Sequence, residues 1–293
     1  MKKRQDIGQI LLTILLAVLA CGIIIPFLLI LGVSFSNEED IILNGYKLIP
    51  EHFDLSGYRY VLQNPAQILQ AYKITIIFSV VGTAITVLFT ALIAYPLSRK
   101  DMVGRDIINT MLLITMLFGG GLVPTYILNT RYLHLNNTIW IYIIPGMLSA
   151  WNVFMMRTFF SQLPDGIVEA AMIDGASQLR IFFTIIIPLS KPVLATIAVM
   201  KFVGDWNSWY PSLLYIDDHS LVSLQYFLQR MMKNISLIKE MQKEGIDMAG
   251  TLTIPAETAR MAMAVLVAGP VLFVFPFFQK YFVKGLTVGG VKG

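Results

Sequence analysis

The stretch from Ile7 to Val33 limits the folds open to this chain more than any other feature, because no charged side chain interrupts it. A transmembrane helix needs about 20 consecutive apolar residues. Basic residues at 2–4 precede the stretch, as in a signal peptide, and Cys21 lies in a context similar to a lipoprotein cleavage site. The apolar run continues past Cys21, however, where a lipoprotein would have a polar spacer. We therefore expect an uncleaved first membrane helix.

The composition agrees with an integral membrane protein. Apolar residues make up 56% of the 293 residues and charged residues 14%, whereas soluble domains average about 45–50% and about 25%. This excludes a disordered chain and argues against a soluble enzyme. The net charge of +4 gives little support to a nucleic-acid partner, and none is expected. The single cysteine excludes an internal disulfide and a cysteine-based metal site.

Apolar runs predict six membrane-spanning helices and therefore an all-α, polytopic membrane protein. The predicted spans cover about 10–33, 74–97, 107–128, 138–160, 188–214 and 261–278. Glycines at 119–121 and Pro124 interrupt the third span, and prolines allow the fifth to bend. Between the last two spans, Leu224, Phe227 and Leu228 recur at helical spacing, which predicts an amphipathic helix that lies on the outer surface or docks against the bundle.

The distribution of basic residues predicts the orientation, because Lys and Arg concentrate in short cytoplasmic segments. With both termini in the cytoplasm, the inner segments hold Lys2, Lys3, Arg4, Arg99, Lys100, Arg105, Arg157, Arg180, Lys280, Lys284 and Lys292. The short outer loop after the third span carries only Arg131, and acidic residues crowd the two long outer segments. The loop 161–187 and the tail 279–293 are then cytoplasmic.

The loop between the fourth and fifth spans contains a well-delimited short helix from Leu163 to Gly175. Pro164 suits the first helical position, and Gly175 suits a left-handed residue just after the last turn. Ala170 and Ala171 leave room for the close approach of another molecule, while Glu169 and Asp174 could pair with basic residues of a partner. The pattern favours a docking helix. The alternative is an interfacial helix with a solvated charged face.

This loop resembles the EAA loop of ABC-importer permeases. The similarity is carried by Glu169-Ala170-Ala171, Asp174-Gly175 and Ile185-x-Ile187-Pro188, with Ile187 where the family has Leu. Over nearly its whole length the chain looks most like the smaller permease of maltose-type carbohydrate importers, a resemblance shared by segments 94–99 and 284–293. The run 118–126 is similar to a subgroup that imports complex oligosaccharides, including fragments of acidic polysaccharides.

The resemblance implies a single transmembrane domain, 1–293, that works with several partners. These would be a second homologous permease, two ATP-binding subunits, an extracellular or periplasmic sugar-binding protein, and membrane lipid. The partner ATPases would use ATP and Mg, and this chain would bind no cofactor. The residues implied in coupling to the ATPases are Glu169, Ala170, Ala171, Asp174, Gly175 and Pro188. The tail after Lys284 would reach towards the interface between the two ATPases.

The fifth span contains polar residues that suggest a route for the sugar. Lys201 and Asp205 lie four residues apart and can pair on one helical face. Ionisable groups inside a span usually face the bundle interior or an aqueous cavity. The candidate pathway residues are Lys201, Asp205, Trp206, Asn207, Trp209 and Tyr210. The aromatic members could instead belong to an interfacial belt.

No sequence motif for catalysis was found. The chain lacks a P-loop, a His-Glu-x-x-His motif and a Gly-x-Ser-x-Gly motif, so we expect a transport subunit and not an enzyme. The predicted function is ATP-driven import of a sugar, most simply an oligosaccharide, across the bacterial cytoplasmic membrane. The alternatives are an ABC permease for a non-sugar solute and, less consistent with the docking helix, a channel or a membrane enzyme.

Overall fold

The computed structural model of the protein describes residues 7–243 and 255–289. Within these ranges the chain is helical, and the extended pairing found there is one isolated antiparallel bridge between Ser36 and Phe53. The all-α fold expected from the sequence is confirmed for the described residues.

The helices follow one another along the chain with short connections. They are α1 (Ile7–Ser34), α2 (Glu38–Asn44), α3 (Ser56–Val61), α4 (Pro65–Ser98), α5 (Arg105–Leu117), α6 (Leu122–Ile127), α7 (Trp140–Ile143), α8 (Ala150–Phe160), α9 (Asp165–Ile173), α10 (Gln178–Ile181), α11 (Ile187–Leu189), α12 (Lys191–Trp206), α13 (Tyr210–Tyr215), α14 (Leu224–Lys243) and α15 (Ala256–Gly289). Wider π-helical turns continue α6 over Leu128–Tyr132 and α10 over Phe182–Ile186, and a 3₁₀ turn covers His219–Leu221.

Two described helices, α1 and α4, are long and apolar enough to cross a membrane. Two bent pairs pass the same test if each pair counts as one span, giving up to four. In the first pair, Arg105–Leu117 and Leu122–Tyr132 meet at 112°, and in the second, Gln178–Leu189 and Lys191–Trp206 meet at 79°. The helices within 138–160 and 261–278 are not among these candidates, so membrane crossing by these two segments stays a prediction.

Several helix boundaries differ from the predicted spans. The helix α4 begins at Pro65 and not at 74, and the predicted fifth span is divided among α11, α12 and α13. The segment 138–160 is not one continuous helix, since α7 and α8 are separated at Pro145 and Gly146. Pro145 removes a backbone donor and crowds the preceding turn, which ends α7. At the other end of the chain, α15 continues from the predicted last span through 279–289. Residues 290–293 of the predicted tail lie outside the described residues.

One compact unit comprises Met1–Ala66 and Leu228–Pro270. In it, the backbone of Leu48 lies directly against Gly32 of α1, and Gly57 of α3 lies against the backbone of Thr258, where a Cβ would be 2.7 Å from the Thr258 carbonyl carbon. Side chains would prevent both approaches, so glycine is required at these two crossings.

The other compact unit comprises Gln67–Phe227 and Val271–Gly293. It has two apolar clusters. The first joins the end of α4 to α8, α9 and α12 through residues such as Ala94, Val153, Val168 and Ile197. The second packs Phe78 of α4 against Tyr142, their rings stacked with centroids 4.3 Å apart.

The amphipathic helix predicted after the fifth span is confirmed as α14.

Candidate functional site

The helix α9 corresponds to the predicted docking helix, and its two ends are set by local chemistry. Pro164 precedes it in an extended conformation, so the helix starts at Asp165, one residue later than predicted. At the other end, Gly175 has φ +77°, and the predicted left-handed stop is confirmed. The amide of Gly175 donates to the Met172 carbonyl at 3.0 Å and that of Ala176 to the Ala171 carbonyl at 3.0 Å. These paired bonds are those of a Schellman motif.

The two faces of α9 have different surroundings. Val168 is buried in the apolar cluster formed with α4, α8 and α12, and Ala171 packs against that cluster. Glu169 and Ala170 are exposed, and Ile173 has 87% of its surface exposed. Ile167 and Met172 are exposed as well, by 41% and 37%, so α9 presents several apolar side chains, and an exposed apolar patch is typical of a contact surface. Of the two alanines, therefore, Ala171 packs inwards and Ala170 faces outwards.

A cavity of about 320 Å³ lies beside α9. Glu169 and Asp165 line it from α9, Arg99 and Lys100 line it from the segment after α4, and Arg105 lines it from the start of α5. The guanidinium of Arg105 is positioned by donating from Nε to the Leu97 carbonyl at 3.0 Å. Among the described residues Glu169 forms no ion pair. Its carboxylate can therefore accept a partner's basic group.

α9 is linked to α4 by a polar contact as well as by the apolar cluster. The hydroxyl of Tyr95 donates to Oε1 of Gln178 at 3.2 Å, and Nε2 of Gln178 donates to the Met172 sulfur at 3.4 Å. Tyr95 also packs against the ring of Phe182, with centroids 5.5 Å apart. A displacement of α9 would therefore be passed to the end of α4.

Pro188, the last predicted coupling residue, lies at the bend between α10 and α12. Pro188 has no N–H to donate to the carbonyl four residues earlier, and its ring crowds that turn. The π-helical turn Phe182–Ile186 directly precedes it, and α11 ends at Leu189. The chain then bends by 79° before α12 begins. The Ile-x-Ile-Pro segment thus sets the angle between the loop and the fifth predicted span.

The predicted pairing of Lys201 with Asp205 is confirmed in α12. Lys201 Nζ donates to Asp205 Oδ1 at 2.8 Å, and only about a tenth of each side chain is exposed. Both groups lie against glycines. A Cβ on Gly82 would be 2.9 Å from Asp205 Oδ2, and a Cβ on Gly146 would be 3.1 Å from Lys201 Nζ. The ion pair therefore connects α12 to α4 and to the break after α7.

The other candidate pathway residues divide into buried and exposed ones. Trp206 is 2% exposed, and its ring lies 6.0 Å from that of Phe202 and 6.4 Å from that of Tyr72. Asn207 is exposed and directly follows α12, and its Oδ1 accepts a hydrogen bond from Gln225 of α14 at 3.0 Å. In this conformation Trp206 is a packing residue, whereas Asn207 is accessible.

Trp209 and Tyr210 form an exposed aromatic pair. Their rings meet edge to face at 5.6 Å, with 36% and 44% of the two residues exposed. Aromatic rings of this kind provide apolar faces with a polar edge. The pair can stack against a sugar ring or lie in the membrane interface, and both predicted roles remain open.

A buried hydroxyl network on α4, α7, α13 and α14 was not identified from the sequence. Tyr142 OH lies 2.6 Å from Ser212 Oγ, which donates to Ser223 Oγ at 2.8 Å. The amide of Leu224, the first residue of α14, donates to Thr75 Oγ1 at 2.9 Å. These residues are far apart in sequence and have no shared motif, so only the fold brings them together. The network fixes where α14 starts.

Metal binding has no support in the described part of the chain. It contains no group of three or more His, Cys, Asp or Glu side chains arranged to hold an ion. His52 pairs instead with Asp40, at 2.9 Å.

Comparison with known proteins gives consistent matches over nearly the whole chain. Residues 7–288 match the family described as binding-protein-dependent transport system inner membrane component. Protein LplC of Bacillus subtilis (strain 168) is 36% identical over 270 residues, 92% of this chain and 90% of that protein. The polygalacturonan/rhamnogalacturonan transport system permease protein YtcP of the same organism is 35% identical over 271 residues, 92% of this chain and 93% of that protein.

A solved structure shows the same fold. It is a chain of a bacterial ABC transporter involved in the import of the acidic polysaccharide alginate, with a TM-score of 0.80 and 27% sequence identity. The similarity covers 96% of this chain and 99% of that one. The sequence and fold matches agree, and this chain therefore belongs to the family of binding-protein-dependent transport system inner membrane components, which are membrane permeases and not themselves enzymes.

Proposed function

We propose that this chain is one of two permease subunits in an ATP-driven importer of a sugar, most simply an oligosaccharide. The chain forms one transmembrane domain of six spans with both ends in the cytoplasm. Its partners are a second permease, two ATP-binding subunits and an external sugar-binding protein. ATP and Mg are used by the ATP-binding subunits.

The observation that carries this proposal is the two-sided environment of α9. Val168 anchors the helix in the apolar cluster, while Glu169, Ala170 and Ile173 face outwards. A helix that covered its own bundle would bury its aliphatic side chains, but Ile173 is 87% exposed. A docked ATPase subunit would cover Ile173 and offer a basic partner to Glu169.

The substrate class is supported by the relatives and by the chemistry at the outer end of α12. The relatives include a polygalacturonan/rhamnogalacturonan permease, and the structural neighbour belongs to an alginate importer. In this chain, Asn207 presents an exposed amide and Trp209 and Tyr210 present exposed rings. Amides and aromatic faces are suited to sugar hydroxyls and sugar rings.

The mechanism that follows is alternating access. Closure of the ATP-binding subunits on ATP moves the attached α9, and hydrolysis returns it. The apolar cluster around Val168 and the bond from Tyr95 to Gln178 pass this movement to α4 and α12. The route then opens alternately towards the sugar-binding protein and towards the cytoplasm.

Charge reversal at Glu169 tests the coupling role. Glu169→Lys places a second positive charge against the basic partner, so the importer should remain in the membrane but lose sugar-stimulated ATP hydrolysis. The control is Gln162→Lys, which adds a charge at an exposed position outside α9. ATP hydrolysis and uptake of labelled oligosaccharides are measured in proteoliposomes.

The results of these measurements distinguish a sugar importer from a channel and from an importer of another solute. Normal stimulated hydrolysis in Glu169→Lys would overturn the docking role of α9. Uptake that continues without ATP would indicate a channel. ATP-driven uptake of a solute other than a sugar would retain the importer and reject the substrate class.

A further inference from the structure

The loop 37–53, which follows α1 and contains α2, uses its polar side chains for contacts within itself. Nδ1 of His52 and Oδ2 of Asp40 lie 2.9 Å apart, and Nδ2 of Asn44 donates to Oε2 of Glu51 at 2.8 Å. Lys47 forms an ion pair with the same carboxylate. These contacts connect the first half of the loop to the second half.

Four aliphatic side chains of the same loop are exposed. Leu43 and Ile49 each have 80% of their surface exposed, and Ile42 and Leu48 have 71% and 50%. Water favours the opposite arrangement, in which polar groups cover a loop and large apolar groups lie inside. Exposed apolar patches with polar residues around them mark contacts with another protein or with a membrane. We call these four residues the apolar loop surface.

The contact of Leu48 with α1 gives the depth of this surface in the membrane. α1 is long and apolar enough to cross a membrane, and its apolar run extends to Val33. A Cβ on Gly32 would be 2.9 Å from the Leu48 carbonyl carbon, so the two backbones are in direct contact. Gly32 precedes the last residue of α1, Ser34, by two residues, or about 3 Å. The chain at Leu48 therefore lies level with the last turn of a membrane helix, and Ile49 follows directly.

A contact with a second helix holds the loop in place. The hydroxyl of Tyr46 donates to Oε2 of Glu257, in the first turn of α15, at 3.0 Å. Lys239 of α14 donates to the other oxygen of the same carboxylate at 2.7 Å. The loop is thus attached both to α1 and to α15, and its aliphatic side chains cannot turn inwards without breaking these contacts.

We propose that the apolar loop surface inserts into the bilayer at the boundary between headgroups and acyl chains, where Leu43 and Ile49 contact lipid. The surface continues the exposed side chains of α1, which extend as far as Leu31. Tyr46 and Lys47 suit this boundary, because each combines an apolar body with a polar end. The choice of the outer leaflet rests on the proposed function and its orientation of the chain, whereas the contact with lipid does not.

The backbone of the loop limits how deep the insertion goes. Residues 46–49 are not helical. Irregular backbone exposed to lipid is not tolerated in the hydrocarbon core, because its polar groups would have no partners there. At the headgroup level water remains available to these groups, and interfacial segments bury apolar side chains by about 5–10 Å. The expected position is therefore the boundary and not the membrane interior.

The competing explanation is that another protein covers the apolar loop surface. The second permease or the sugar-binding protein would exclude lipid and water alike from Leu43 and Ile49. Contact with lipid excludes water but admits small apolar molecules that dissolve in acyl chains. The two explanations therefore differ in which probe molecules reach these side chains.

Spin labels at single cysteines measure this difference. Cys21 is the single cysteine, so Cys21→Ser gives a background without thiols. Leu43→Cys and Ile49→Cys are introduced separately, and Glu39→Cys, at an exposed position of the same loop, is the matched control. The complete importer is placed in nanodiscs of phosphatidylethanolamine and phosphatidylglycerol, with and without its sugar-binding protein. Collisions of each nitroxide with oxygen and with nickel ethylenediaminediacetate are then measured.

We expect the ratio of oxygen to nickel collisions to be several-fold higher at Leu43→Cys and Ile49→Cys than at Glu39→Cys, because oxygen concentrates in lipid and the nickel chelate stays in water. Equal ratios at the three positions would mean that the surface faces water, and they overturn the proposal. Few collisions with either reagent at Leu43→Cys and Ile49→Cys would mean that protein covers the surface, and this result overturns it as well.

A tryptophan at the same position decides the matter if a cysteine variant fails to assemble. Ile49→Trp keeps an apolar side chain and is compared with Glu39→Trp, each after subtraction of the wild-type emission. In nanodiscs of brominated phosphatidylcholine, we expect the added emission of Ile49→Trp to be blue-shifted and quenched, and that of Glu39→Trp to be neither. Unquenched emission from Ile49→Trp overturns the proposal. These results leave the importer assignment untouched, since the Glu169→Lys experiment tests it independently.

Discussion

Glu38 caps the first turn of α15 through Thr258, which lies far from it in sequence. One carboxylate oxygen of Glu38, Oε2, accepts hydrogen bonds from the amide and from the hydroxyl of Thr258, both at 3.0 Å. The other, Oε1, accepts from the amide of Glu257 at 2.9 Å. The amides at a helix start have no partners within the helix, and the positive end of the helix dipole favours a carboxylate there.

Removal of this cap should destabilise the protein. Glu38→Ala leaves two amides of a partly buried helix end without partners, so we expect a loss of about 1–3 kcal/mol and a fall in Tm of several degrees. Glu39→Ala, at the exposed neighbouring position, should change Tm little. Intrinsic fluorescence during heating of the purified protein gives both values. Equal Tm values for the two variants would contradict the capping role.

Protonation of Glu257 at acidic pH should lower the stability of the protein. Burial raises the pKa of Glu257, but hydrogen bonds from Lys239 and Tyr46 and the charge of Arg260 outweigh it, and the pKa falls below 4.5. A carboxyl whose folded-state pKa is lowered stabilises the fold above its unfolded pKa and loses that contribution as the pH falls through the folded value. We therefore expect Tm to decrease as the pH is lowered from about 4.5. Glu257→Gln should show a smaller fall over the same range, and parallel Tm curves would count against the assignment.

The glycine beneath Asp205 should not tolerate a side chain. A methyl group on Gly82 would lie 2.9 Å from Asp205 Oδ2, and the short Asp205 side chain is buried and held by Lys201. Gly82→Ala should cost about 1–3 kcal/mol, as overpacking typically does. Gly204→Ala, at a position of α12 with open space, should be neutral or stabilising by up to about 1 kcal/mol. Thermal unfolding compares them, and an unchanged Tm for Gly82→Ala would show that the ion pair can move aside.

Substitution by alanine should have opposite effects at two glycines of α9 and its C-terminal stop. Gly175 has φ +77°, where a Cβ costs about 1–2 kcal/mol, whereas Gly166 lies inside α9 with open space around it. Gly175→Ala should speed amide hydrogen exchange in residues 165–176 by about 5- to 30-fold. Gly166→Ala should slow it, because alanine favours helix more than glycine does. Exchange that changes in the same direction in both variants would contradict this account.

The features that could be predicted from the sequence are those set by neighbours along the chain. The ends of α9 are predictable to within a residue because Pro164 and Gly175 act on their own turns. The pairing of Lys201 with Asp205 was predictable for the same reason, since four residues bring two side chains to one helical face. Apolar run length was sufficient to predict α1 and most of α4.

The features that could not be predicted depend on segments that meet only in the folded chain. The burial of Trp206 depends on Phe202 and Tyr72, and an aromatic residue at the end of a span has no local signal that separates packing from substrate contact. The cap of Glu38 on α15 and the contact of Asp205 with Gly82 join distant segments. Apolar residues continue on both sides of Pro145 and Gly146, so run length predicts one span across the break between α7 and α8.

The exposure of α1 has a consequence for how the protein is made. Residues 8–28 are all exposed in the described structure, and close packing begins only at Gly32. The affinity of α1 for the bilayer therefore depends on its own side chains and not on later segments of the chain. During synthesis α1 can therefore enter the membrane as soon as it is complete, before any later helix has been made.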